Sequence, residues 1–98
     1  MALNTVFRAL SDPTRREILR LLRSGDLTAG QLAERFPLAR STLSEHCAVL
    51  KAAGLVVTER HGTVIVYSLN VSAVEEALGA VLGLLHVGDD TRPTEGEE

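Results

Sequence analysis

Arg40, Ser41, Thr42, Ser44, Glu45 and Lys51 crowd into one short stretch of a 98-residue chain, interleaved with Leu43, Cys47 and Leu50. Those three apolar residues fall at i, i+4 and i+7, which is one face of a helix, and Ala53 extends it. The polar set must then share the other face. Short hydroxyls and a single arginine let a helix come close to the edges of stacked bases, and a carboxylate such as Glu45 can accept from cytosine N4. The chemistry open to this face is hydrogen bonding in the major groove of a DNA duplex. Arg40 and Lys51 are available to phosphates. A surface helix with no ligand has the same periodicity, so the flanking segments decide between the two.

Those segments supply a scaffold of the right kind. Thr28 with Gln31 three residues on is a capping box, and Leu27 with Leu32 makes a hydrophobic staple, so a helix starts there and runs to about Phe36. Pro37 forces a turn before the next helix, and Gly54 provides its left-handed end. Two short helices joined this way form a helix-turn-helix. Leu55 to Val57 and Val64 to Leu69 read as the strands of a hairpin, with Glu59 to Thr63 as its turn. The expectation is a mainly α winged helix-turn-helix with about five helices and a two-stranded wing. Arg60, His61 and Thr63 would be the wing's tip contacts, and Thr28 and Gln31 would hold phosphate beside the reading helix.

Two further helices frame this unit. Leu3, Val6, Phe7 and Leu10 give an opening helix a core face, and Asp12 with Pro13 starts the next, which carries Ile18, Leu19, Leu21 and Leu22 and ends near Gly25. The last helix runs from Val71 or Ala73 to His86, capped by Asn70 or Ser72. From Ala77 to Leu85 it is apolar on every side, more than so small a domain can cover. We therefore expect a homodimer packed through Leu3, Val6, Phe7, Leu78, Val81, Leu82 and Leu85. Gly79 and Gly83 either permit close approach there or are loosely packed.

Composition narrows the function class. Aromatic residues make up 3% of the chain, which leaves no stacking platform for single-stranded nucleic acid. The single cysteine excludes an internal disulfide and points to a reducing cytoplasm. No apolar run reaches membrane-spanning length, and Arg8 interrupts the N-terminal stretch, so neither a membrane segment nor a signal peptide is expected. There is no Ser, His and acid set, no phosphate loop and no paired carboxylates in an apolar setting, which argues against an enzyme and against a cofactor. The net charge of -3 is set by residues 89–98, with five acidic groups against Arg92. These read as an acidic, disordered tail beyond a domain spanning 1–88. Between Arg8 and Thr63 there are nine basic and six acidic residues, a modest basic footprint for DNA.

Asp12-Pro13-Thr14-Arg15-Arg16 with Ile18-Leu19, then Ser41 to His46 with Leu50 and Ala53-Gly54-Leu55-Val56, then Arg60 to Gly62 and Tyr67-Ser68-Leu69, together resemble the ArsR/SmtB family over roughly residues 3–87. The resemblance implies a dimeric winged-helix repressor of bacterial promoters. Many such proteins sense metals through a Cys-x-Cys pattern or through Asp and His on the last helix. Here Thr28, Ala29 and Gly30, and Val71, Ala73, Leu84 and Val87, stand at those places. None of Ala, Gly, Val or Leu has a side chain that coordinates a cation, so no metal is expected. The chain looks closer to short autorepressor-like members without those ligands, and its effector is not legible.

Several residues admit two readings. Ala39 stands where the family often has a capping Ser, which leaves the helix start open to a DNA phosphate. Glu45 is either a specificity element or a solvated charge. Cys47 fits a core position better than a redox sensor. His46 donates to a phosphate or bonds within the domain, and Arg15 and Arg16 serve DNA or pair with Asp12 or Glu17. A winged helix converted to a protein-interaction module is the alternative function. Steeply salt-dependent duplex affinity would separate the two.

Overall fold

A computed structural model describes residues 2–85. In chain order the elements are α1 (Leu3–Leu10), α2 (Pro13–Leu22), β1 (Leu27–Thr28), α3 (Ala29–Ala33), α4 (Arg40–Ala52), β2 (Val56–His61), β3 (Val64–Leu69) and α5 (Val71–Leu84). His86 and the tail expected at 89–98 lie outside the described residues.

Three helices begin where a side chain can take up their free amides. Asp12 Oδ1 accepts from Thr14 N at 2.7 Å and Arg15 N at 3.2 Å, with Pro13 in the first turn. Thr28 and Gln31 close a reciprocal capping box at 3.1 and 2.9 Å. Asn70 rather than Ser72 caps α5, its Oδ1 accepting from Ala73 N at 3.2 Å. Helix α4 has no such help, because Ala39 has no acceptor.

The wing is larger than the sequence suggests. Strands β2 and β3 pair antiparallel, and β1 adds to the far side of β3 through Leu27 opposite Tyr67 and Thr28 opposite Val66, giving the order β1-β3-β2. A two-residue strand is too short to show alternation, which is why it is hidden in the sequence. Strand β2 continues through His61, so the turn is only Gly62-Thr63, with Gly62 at φ +66° as a two-residue hairpin requires. Helix α3 stops at Ala33, short of Phe36.

Val6, Ile18, Leu22, Leu32, Leu43, Leu50, Leu55 and Val56 build the core from α1, α2, α3, α4 and the start of the wing. The opening helix is rotated from its expected face: Val6 and Ala9 are buried, whereas Phe7 is 44% exposed and Leu10 is also exposed. Ala9 takes the inward place because its small side chain lets α1 lie close against α4. Val6, expected at the surface that meets a second copy, is 1% exposed and belongs first to the protomer's own core, where it forms part of the floor of the apolar groove beside α5. Helix α5 buries only Ala77, leaving Leu78, Leu82 and Leu84 exposed, with Leu85 exposed just past its end. An apolar groove of about 220 Å³ runs between α1, α2 and α5, lined by Leu10, Leu19, Val74, Leu78 and Val81 among others.

Candidate nucleic-acid interface

Leu43, Cys47 and Leu50 sink one side of α4 into the core, as their spacing requires. Directly opposite, Ser41, Glu45, Ala48 and Ala52 follow one another at i, i+4, i+7 and i+11, all exposed. The outward line is thus free of bulky side chains. Ala48 and Ala52 are its unanticipated members; the seven-residue step from Ser41 and from Glu45 places them there. Arg40 and Ser44 are exposed on the flank that faces the wing, and Ser44 and Lys51 share a cleft with Thr58, Ile65 and Tyr67. On the other flank Thr42 and His46 are half-buried.

His46 makes an internal contact. Arg15 sends Nε to the Ala9 carbonyl at 2.8 Å, one terminal nitrogen to the Arg8 carbonyl at 2.9 Å and the other to His46 Nδ1 at 3.0 Å. Arg16 reaches the Leu10 carbonyl at 2.8 Å. Both arginines thereby bind carbonyls at the end of α1, where the helix dipole is negative, the Arg8 carbonyl also accepting from Ser11 N at 3.2 Å and Ser11 Oγ at 2.7 Å. Of the two acids expected as partners if the arginines pair within the domain, Glu17 binds Arg20 instead, while Asp12 lies close enough to Arg15 to feel its charge. Asp12 Oδ1 lies 4.0 Å from His46 Nδ1. Desolvation pushes the Asp12 carboxyl up, but the Arg15 and Thr14 amides, the charge of Arg15 and, when it is protonated, the charge of His46 together hold it below the usual range.

The three wing residues are not grouped at one tip. Thr63 is in the turn, but Arg60 and His61 are in β2, and consecutive strand residues point to opposite faces. Arg60, paired with Ile65, shares the face of Thr58 and Tyr67 that looks toward α4. His61 is on the reverse face with Glu59, its Nε2 3.5 Å from Glu59 Oε1. Thr28 and Gln31 spend one oxygen each on the capping box, leaving the Thr28 hydroxyl proton and the Gln31 amide protons as donors.

Cys47 is 4% exposed, and burial pushes its thiol up while a hydrogen bond with Tyr67 partly opposes this. A cavity of about 80 Å³ lies beside it, bordered by Arg40, Ser44 and Tyr67. Among the described residues, no three His, Cys, Asp or Glu side chains are grouped to hold a metal ion, and no helix is long and apolar enough to cross a membrane.

The family model for bacterial regulatory proteins of the arsR family matches residues 12–58, from the cap of α2 into β2. The transcriptional repressor SdpR of Bacillus subtilis is 42% identical over 88 residues, covering 90% of this chain and 98% of that protein. The chain belongs to the ArsR family. The HTH-type transcriptional regulator CmtR of Mycobacterium bovis is 38% identical over 96 residues, covering 98% of this chain and 81% of its own length. Among solved structures, an ArsR-like transcriptional regulator from Rhodococcus sp. RHA1 superposes with a TM-score of 0.76 at 36% identity, covering 92% of this chain and 84% of that one. This ArsR-family chain is accordingly a DNA-binding transcriptional regulator with the winged helix-turn-helix fold, and not an enzyme.

Proposed function

We propose that the chain works as a homodimeric repressor, its two α4 helices entering successive major grooves of an inverted-repeat operator about one helical turn apart. The observation that carries this reading is the smooth exposed line of Ser41, Glu45, Ala48 and Ala52 on a helix backed by core. Ser41, Thr42, Ser44 and Glu45 read base edges. Thr28, Gln31, Arg40, Lys51, Arg60 and Thr63 hold phosphates. The second copy covers Phe7, Leu78, Leu82 and Leu85, which are exposed in the protomer, together with Leu3 and Val81 at the edge of the same apolar surface. Gly79 and Gly83 have open space around them and would allow that copy to come close. Repression is steric, by covering a promoter in the cytoplasm, and residues 89–98 are an acidic tail beyond the binding domain.

The test is a footprint on DNA upstream of the chain's own gene, followed by duplex titrations across salt. A symmetric protected site and a steep log–log salt slope are expected. Lys51→Gln or Arg60→Gln each lowers that slope by about 1, because one phosphate contact is lost. A monomer in sedimentation, or no duplex affinity even at low salt, would overturn the reading.

A further inference from the structure

We infer that Arg15 is the positioning residue that sets α4 against α1, and that protonation of His46 releases α4 and weakens DNA binding. The inference rests on α4 being the DNA-reading helix. The Arg15 side chain joins three places at once: the Ala9 and Arg8 carbonyls ending α1, the start of α2 from which it springs, and His46 in the middle of α4.

The proton inventory fixes the tautomer. A guanidinium has only donors, so His46 Nδ1 accepts from Arg15 and the ring proton sits on Nε2. Protonating Nδ1 removes that acceptor and sets an imidazolium against a guanidinium. The charged groups around His46 are Arg8 from α1, Asp12 and Arg15 from the start of α2, and Glu45 from α4 itself. Asp12 is the nearest acid, with Oδ1 4.0 Å from Nδ1, and its Oδ1 already accepts from the Thr14 and Arg15 amides. A protonated His46 is therefore drawn toward Asp12 and away from Arg15, which turns the middle of α4 relative to α1. DNA needs the neutral ring in its Arg15-bound position, so affinity falls on acidification. A histidine acting merely as a phosphate contact gives the opposite sign, since protonation would add a favourable charge.

The experiment measures duplex affinity of the full chain at fixed salt from pH 8 to pH 6. The wild type is expected to lose affinity on acidification, by no more than several-fold at pH 6, as Arg15 loses its acceptor. His46→Gln keeps an acceptor for Arg15 but cannot take up a proton, so its affinity becomes flat over the same range. Arg15→Lys retains the charge without the fork and loses the pH dependence; its melting curve separates a folding defect from a positioning one. Imidazole ¹⁵N shifts of the free protein at pH 8 should report the Nε2–H tautomer. Affinity that rises on acidification, equal slopes for wild type and His46→Gln, or the opposite tautomer each overturns the positioning role. Absence of any duplex complex at pH 8 overturns the reading of α4 itself, and the positioning role with it.

Discussion

Asn70 ties the end of the reading helix to the start of α5: its Nδ2 donates to the Gly54 carbonyl at 3.0 Å while its Oδ1 accepts from Ala73 N at 3.2 Å. The Asn70 backbone amide adds a bond to the Leu55 carbonyl at 2.9 Å. One amide side chain thus serves both as a helix cap and as a latch between α4 and α5. Asn70→Ala should cost about 2 kcal/mol in urea unfolding, the sum of a cap and a hydrogen bond. Asn70→Asp keeps the cap but faces a carbonyl with a second acceptor, so it should remain destabilised by about half as much. Equal stability of the aspartate variant and the wild type would show that the latch contributes nothing.

Ala39 precedes α4 in extended conformation with no side-chain acceptor for the first amides. Ala39→Ser should stabilise the free protein by about 0.5–1 kcal/mol, because a serine cap takes up one of those amides. The same change should weaken the duplex complex and flatten its salt slope if a phosphate uses the amides instead. Thermal melts and salt-dependent titrations check the two effects separately. A stabilised variant with unchanged affinity would place the phosphates elsewhere.

Local rules account for what the sequence discloses and for what it hides. The buried line of Leu43, Cys47 and Leu50, the Thr28–Gln31 box, the Asp12 cap and Gly54 at φ +79° all follow from short-range spacing, and all are present. Strand β1 exists only because β3 is beside it, which no two-residue pattern can announce. The same limit explains α1, where a Leu3, Val6, Phe7 and Leu10 stripe fits helical spacing but the close approach of α4 selects Val6 and Ala9. Arg15 and His46 are thirty-one residues apart and meet only through the packing of α1, α2 and α4. Whether an arginine serves a ligand or a neighbouring helix end is decided by tertiary geometry, and charge counts carry no trace of it.

Leu78 is 59% exposed on α5, beside Leu82 and across the apolar groove from Leu10. On the dimer reading it is buried by the second copy, so Leu78→Glu should set a charge into an apolar interface and raise the dimer dissociation constant at least about a hundredfold. Sedimentation velocity reads this directly. The protomer fold should survive, since Leu78 is outside the core. Operator affinity should fall with the dimer, while weak, salt-dependent attachment to any duplex persists. A Leu78→Glu protein that stays dimeric would move the interface to another face.

Cys47 links stability to alkaline pH. Desolvation raises the thiol's folded value, and the Tyr67 hydrogen bond only partly offsets it. A raised value means that the folded state holds its proton longer than the unfolded chain does. The stabilisation from the neutral thiol is therefore fully present below the ordinary thiol range of about 8.5 and is lost as pH climbs through the higher folded value. Cys47→Ala should cost about 1 kcal/mol at pH 7 by leaving a small void, yet lose less further stability between pH 8.5 and 9.5 than the wild type. Tyr67 is also pushed up, first by burial and then by the Cys47 charge and hydrogen bond, so part of its shift disappears with the thiol in Cys47→Ala. Melting temperatures across that range give the comparison. A wild type that holds its stability as well as Cys47→Ala up to pH 9.5 would mean that the thiol is not desolvated. Peroxide should then be tried against the operator complex, which a buried, protonated thiol leaves intact.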